Sequence, residues 1–409
     1  MSWEYIRLGD VCTKIGSGAT PKGGATVYID EGTSFIRSQN IYNLEFSHEG
    51  LAHITEDAAK KLNGVAVQKD DVLINITGDS VARTCMVPDA VLPARVNQHV
   101  AIVRPDSNRL NPRFLNYYLT SPYMQSLMLG LAVGKGASRN AMTKDMIANF
   151  DILCPPIEIQ ESIVGILSTC DALIENNQRQ IKLLEETSQR LYKEWFVDLR
   201  FPGHENTKIT DGVPEGWKVD RADTFFNMSI GKTPPRAEKQ WFTDGDKGTP
   251  WISISDMGNS GTYVFHTTEG LTAEAISKHN VRVVPADTIL VSFKLTVGRV
   301  SITTTSTCTN EAIAHFLIPD SFLREYTYLY LKCFEYDSLG NTSAISKAVN
   351  SKIIKAMPFV MPDSEILQRF HQVGKPILEE IKNKQKTNIC LAEARDRLLP
   401  KLMSGEIEV

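Results

Sequence analysis

Two stretches of this chain, near residues 158–200 and 364–403, carry helical periodicity well beyond the length of an ordinary globular helix, and each follows a variable segment of roughly 150 residues. The order of short landmarks recurs as well. Trp3 answers Trp217, Ile15-Gly16 answers Ile230-Gly231, and Thr20-Pro21 answers Thr233-Pro234. The run from Asp70 to Arg83 matches the run from Ala286 to Arg299 without a gap, Asn97 matches Asn310, and Pro156 matches Pro362. Such a chain must fold as two related halves, and two related halves suit a target that itself has two parts.

The helical stretches set how the halves are joined. From Ile163 the apolar residues return at steps of three and four through Leu167, Cys170, Ile174, Ile181, Leu184, Leu191 and Trp195, with Asn177 and Ser188 on the same seam. This is a heptad seam, in which a buried Asn lowers stability but fixes register against a partner helix. Glu175, Arg179, Lys182, Glu185, Glu186 and Arg190 flank it and read as a solvated face. The second seam runs through Phe370, Val373, Ile377, Ile381, Leu391, Leu398 and Leu402, interrupted by Lys384 and Asn388, and Pro400 is expected to end or kink it. An intramolecular antiparallel pair buries both seams most simply; a homodimeric coiled coil is the alternative. At ~1.5 Å per residue such helices reach roughly 57 Å, longer than the ~34 Å of one DNA turn, and would set a distance between two globular units.

The globular segments read as mixed α/β, giving an α+β chain of two such units separated by two long helices with an internal pseudo-two-fold repeat. Strands are expected at 72–77 and 288–293 and around 100–103 and 313–318, with amphipathic helices in NPRFLNYYLTSPYMQSLM and SFLREYTYLYLKCF. The expected division is 1–155, a first recognition unit; 156–200, a first helix; 201–362, a second unit; and 363–409, a second helix and tail. No apolar run approaches the ~20 residues of a membrane span, and MSWEYIRLGD lacks the apolar core of a signal peptide, so a cytoplasmic location without membrane association is expected. Seven scattered cysteines favour reduced thiols over disulfides or a structural metal.

Net charge is −4, which is not the basic footprint of a protein that holds DNA unaided. Residues 1–155 carry fifteen basic and fifteen acidic side chains, and residues 201–362 carry sixteen and seventeen. Any contact with nucleic acid must therefore come from local cations, with another subunit neutralising most of the phosphates. The polar loops supply candidates: Thr20, Lys22, Lys135 and Arg139 in the first segment, Lys232, Arg236 and Lys294 in the second. Arg83 and Arg299 occupy matching places after a strand in both repeats. Arg37, Gln39 and Asn40 after the FIR strand, with Ser253, Ser255 and Asp256 in WISISD, are candidate base-edge readers. Different side chains at matching loops imply two different half-sites and a non-palindromic target.

Catalytic patterns are missing from the sequence. LGLAVGKGAS has the wrong spacing for a phosphate loop. Asn111-Pro112-Arg113-Phe114 matches the Asn-Pro-Pro-Phe/Tyr motif of amino methyltransferases only superficially and reads as coincidence. By contrast, LYKEWFVDLRFPG (191–203) followed by GVPEGWKV (212–219) resembles the central conserved region of type I restriction-modification specificity subunits. RLLPKLMSGEIEV (397–409) resembles their carboxyl end, and CPPIEIQESIV (154–164) the phrase opening their first helix. The resemblance implies a non-catalytic subunit whose two target recognition domains read a bipartite, asymmetric double-stranded DNA sequence. It further implies two docked modification subunits that methylate adenine, together with restriction subunits that translocate and cut. S-adenosylmethionine, ATP and Mg2+ are expected on those partners, and no cofactor or metal on this chain. The alternatives are the recognition portion of a fused methyltransferase-nuclease, or a scaffold that does not bind DNA.

Overall fold

The computed structural model describes residues 3–133, 141–339 and 349–409. It divides into two compact units, Met1–Leu173 with Cys390–Val409 and Ile174–Ile389. The long helices Ile157–Tyr192 and Ser364–Ser404 each contribute to both.

In the first unit a four-stranded antiparallel sheet has the spatial order Thr84–Met86, Val72–Asn75, Val100–Pro105, Cys12–Ser17. Val72–Asn75 is buried at all four positions, as a continuous apolar run covered on both faces should be. A five-stranded sheet holds Thr33–Ile36 parallel to Ala94–Val96, and Glu4–Arg7 pairs with Asp151–Cys154. The second unit repeats the plan. Val300–Thr303, Ile289–Ser292, Ile313–Leu317 and Asn227–Ile230 follow one another in one sheet, Thr249–Ile252 lies parallel to Cys308–Thr309 in another, and Lys218–Arg221 pairs with Pro358–Met361.

Pairing registers correct three of the expected correspondences. Asn75 lies opposite Val100 and Ser292 opposite Ile313, so Val72–Asn75 corresponds to Ile289–Ser292, one residue off the gapless match. The offset closes at the following turn, where Asn75 N–H donates to the Arg83 carbonyl and Ser292 N–H to that of Arg299, 2.9 Å each. A gapless alignment would have turned the whole strand inside out, because side chains alternate faces with period 2. Gly231 corresponds to Gly18, not Gly16. Gly18 N–H donates to Val100 O and Gly231 N–H to Ile313 O, and a Cβ on either would come within 2.2 Å of backbone oxygen. Finally, the terminal strand pairs match Cys154 to Met361, so Pro155 rather than Pro156 answers Pro362.

NPRFLNYYLTSPYMQSLM forms two helices, Pro112–Thr120 and Pro122–Ala132, because Pro122 forces Ser121 out of helical conformation and Ser121 then caps the second. Asn111-Pro112 is a helix start: the Asn111 carboxamide accepts from the amides of Arg113 and Phe114, and Phe114 is fully buried. That local role accounts for the superficial motif.

The helices meet in antiparallel fashion within each unit. In the second, Asn177 Nδ2 donates to Asn388 Oδ1 at 2.8 Å, giving the seam asparagine its mirror residue. In the first, Arg395 Nη1 donates to Asp171 Oδ1 at 2.7 Å. The second seam departs from its expected positions. Val373 is 43% exposed, while Leu367, Phe370, Gly374, Leu378 and Ile381 turn inward. Gly374 allows close approach, since a Cβ there would lie 3.3 Å from Glu325 Cβ. Pro400 does not end the helix, which continues to Ser404. The proline costs about 3 kcal/mol in a helix interior, but Leu399, Leu402 and Met403 around it are buried in the first unit's core, at roughly 1.5–3 kcal/mol each. The first helix passes after Tyr192 into a π turn, Lys193–Val197, that sends Phe196 against Tyr326 and Phe370, with ring centroids 4.6 and 4.8 Å away. Phe196, with Trp195 packed against it, thus belongs to the core of the second unit.

Candidate nucleic-acid interface

In the first unit, the loop after Val72–Asn75 opens on Gly78 at φ 76 and returns through Ala82 at φ 73 to Arg83. With Gln39 and Tyr42 from the loop after Thr33–Ile36, and with His99, it lines a cleft of about 570 Å³. The Arg83 guanidinium lies 4.7 Å from the centre of the Tyr42 ring. The ring supports the guanidinium, and no ion pair among the described residues holds it, which suits bidentate donation to a guanine or a phosphate. Thr77 Oγ1 and His99 Nδ1 are 2.6 Å apart in the same cleft. The structure therefore brings Gln39 and Arg83 together and adds Ser38, Tyr42, Thr77 and His99. The sequence reading missed these four because nothing local marks a residue that joins a site only through strand pairing.

The neighbouring candidates are partly committed elsewhere. Arg37 Nη2 and Gln39 Nε2 both donate to the Gly50 carbonyl, at 2.7 and 3.1 Å. Asn40 is fully buried; its Oδ1 accepts from Arg37 N and its Nδ2 donates to the carbonyls of Ser47 and Glu49. Its amide closes the 40–50 loop and offers no free edge to a base. Thr20 and Lys22 are exposed just beyond Gly18. Lys135 and Arg139 lie outside the described residues.

The second unit builds the same frame with other side chains. Asp256 corresponds to Asn40: it is buried, and its carboxylate accepts from the amides and hydroxyls of Ser253 and Thr268. Burial pushes its pKa up, but those four bonds outweigh it and hold the carboxyl below the usual range. Asp256 is thereby a clamp and not a base reader. Ser253 is the helix cap that it clamps, whereas Ser255 in the first helical turn is exposed. Lys232 is exposed, with its carbonyl accepting from Trp251 Nε1. Arg236 pairs with Glu269 at 2.7 Å and lies over the Phe242 and Trp251 rings at 4.3 and 4.5 Å. Lys294 sits 5.7 Å from the Phe293 ring centre. Arg299 differs from Arg83: its Nη1 donates to the Ile254 carbonyl at 2.6 Å and crowds Gly258, so part of its donor set is spent inside the unit.

At the matching positions of the second unit the chemistry diverges. Ile76 N–H donates to His99 O and Phe293 N–H to Ala312 O, which places Thr77, Gln98 and His99 against Lys294, Glu311 and Ala312. Burial raises the Glu311 pKa, but the Thr233 hydroxyl hydrogen bond and the charges of Lys294 and Arg236 override it and leave the carboxyl lowered. At these positions the first unit thus carries a hydroxyl, an amide and an imidazole, and the second an ammonium and a carboxylate.

A family model described as the type I restriction modification DNA specificity domain matches residues 1–186 and 214–389. The chain is 24% identical to the HindI type I restriction enzyme specificity subunit of Haemophilus influenzae, over 99% of each chain. It is also 24% identical to the MjaIX specificity subunit of Methanocaldococcus jannaschii, over 100% of this chain and 94% of that one. A crystal structure of a type I restriction-modification S subunit from M. genitalium shares the fold, with a TM-score of 0.57 at 14% identity, covering 98% of this chain and 96% of that one.

Proposed function

We propose, from the premise that this chain belongs to the type I restriction-modification DNA specificity family, that its two units read the two unlike halves of a bipartite DNA target. DNA target recognition within a multi-subunit complex is the role of this family, and the specificity subunit has no catalytic part in it. One observation carries the finer reading: a shared backbone frame presents Thr77, Gln98 and His99 in one unit but Lys294, Glu311 and Ala312 in the other. A shared frame fixes how each unit sits on a duplex, and different donors and acceptors select different bases.

Arg83, Gln39, Lys22 and Thr20 serve the first half-site; Lys232, Ser255, Lys294, Arg236 and the free edge of Arg299 serve the second. The recognition units correspond to 1–155 and 201–362, and the helical segments 156–200 and 363–409 act as spacer and as the docking surface for two modification subunits, which restriction subunits join. S-adenosylmethionine, ATP and Mg2+ act on those partners, in the cytoplasm. Net charge −4 supports the division, because counterion release by so acidic a chain is small and the partners must supply most phosphate contacts. The test is a binding titration at physiological salt. The purified chain alone binds its target weakly, and adding the modification subunits makes binding tight and sequence-specific. Tight specific binding by the chain alone would contradict the division of labour.

A further inference from the structure

Leu295 has the highest exposure of any large apolar side chain among the described residues, at 82%. Its backbone is held at φ 62, a left-handed conformation that a Cβ disfavours. Because Phe293 corresponds to Ile76, Leu295 stands where the first unit has Gly78, at φ 76, on the wall of its cleft. The second unit thus places a branched apolar side chain on a turn where its counterpart carries the residue that the turn favours. The turn is fixed from beneath: Ser292 Oγ donates to the Thr296 carbonyl and accepts from Arg299 N at 3.0 Å, while Gly298 N donates to Ser292 O at 2.9 Å.

We propose that Leu295 is an apolar wedge with which the second unit enters the base stack of its half-site and unstacks one base step. The inference rests on the reading of this loop region as a DNA interface. A wedge needs an apolar side chain clear of its neighbours on a support that does not yield, and adjacent cations that hold the backbone while the step opens. The exposure of Leu295 and its pinned turn, with Lys294 beside it in sequence and Arg299 closing the same turn, meet those needs. A thymine-methyl contact, the other use of a leucine in a groove, needs only a flush surface and no display on a strained turn.

The test uses the complex assembled with its modification subunits and duplexes carrying its methylation target, with 2-aminopurine placed at each step in turn. At saturating complex, emission rises at one step on binding, the rise is lost with Leu295→Gly, and it persists with Leu295→Phe. Leu295→Gly keeps or raises the melting temperature, since glycine accepts φ 62 without strain. Tight binding with no emission rise at any step, or a rise that L295G leaves intact, would overturn the wedge while leaving DNA reading in place. Loss of affinity on thymine-to-uracil replacement without unstacking would also overturn it, in favour of a methyl contact. Failure of the native complex to bind the duplex would sink the DNA reading itself.

Discussion

Arg83 and Arg299 occupy the same point in the repeat, yet only the surroundings reveal that they do different work. Arg83 rests on Tyr42, while Arg299 also ties down the Ile254 carbonyl. Arg83→Ala is expected to weaken binding to the cognate target by about 1–3 kcal/mol and to leave thermal unfolding unchanged. Arg299→Ala should destabilise the second unit by about 1–3 kcal/mol, because the Ile254 carbonyl loses a charged donor. Equal melting temperatures for the two variants would contradict this distinction. His315 offers a pH test in the same unit. It is fully buried between the Ser229 and Thr309 hydroxyls, at 2.8 and 2.7 Å, and burial lowers its pKa from 6.5 to about 4. Protonation thus favours the unfolded chain. The stabilising effect is complete above pH 6.5 and is lost as pH falls toward 4, by roughly 3 kcal/mol from linkage. Urea titrations at pH 7 and pH 4.5 should show the loss, and His315→Gln should flatten it; an unflattened profile would assign the effect to other groups. Arg83 and Gln39 stand out in the sequence as donors in loops, and the structure brings both to the first unit's cleft. Asn40 and Asp256 carry the same chemistry but were misread as readers, because their burial depends on the Ser47–Gly50 and Thr267–Thr268 segments folding over them.

At the scale of elements, the first helix's seam is nearly regular and so legible in the sequence, whereas in the second the inward face runs through Leu367, Phe370, Gly374, Leu378 and Ile381, where a glycine rather than an apolar side chain marks the contact. The Asn177–Asn388 hydrogen bond is the device that the first seam called for. Asn177→Leu alone leaves the Asn388 amide without that partner and should cost about 1–2 kcal/mol. The double change Asn177→Leu, Asn388→Leu should restore or exceed native stability while relaxing register, as with other buried polar seam residues. Chemical denaturation of the two variants checks the energies, and an additive rather than compensating double mutant would contradict a register lock. Strand identity was legible at Val72–Asn75 and Ile289–Ser292 from their apolar runs. Their register was not, because the one-residue offset is absorbed in a turn whose left-handed residues, Ala82 and Gly298, follow no shared composition.

For the whole molecule, duplication accounts for the fold, and the proposed function rests on divergence between the copies. The family match covers both copies, and the proposal is that two similar frames carrying different side chains read two unlike half-sites. The proposal extends to the helices, as the ruler between those half-sites. Removing one heptad from each, residues 172–178 and 387–393, preserves the seam and shortens the pair by about 10 Å, or about three base pairs of DNA. The direct test is methylation-aware sequencing of DNA modified by the assembled complex, native and shortened. The account predicts one bipartite target with two different half-sites in both cases, and a gap shorter by about three base pairs in the second. Identical half-sites in the native target, or an unchanged gap in an active shortened complex, would contradict it.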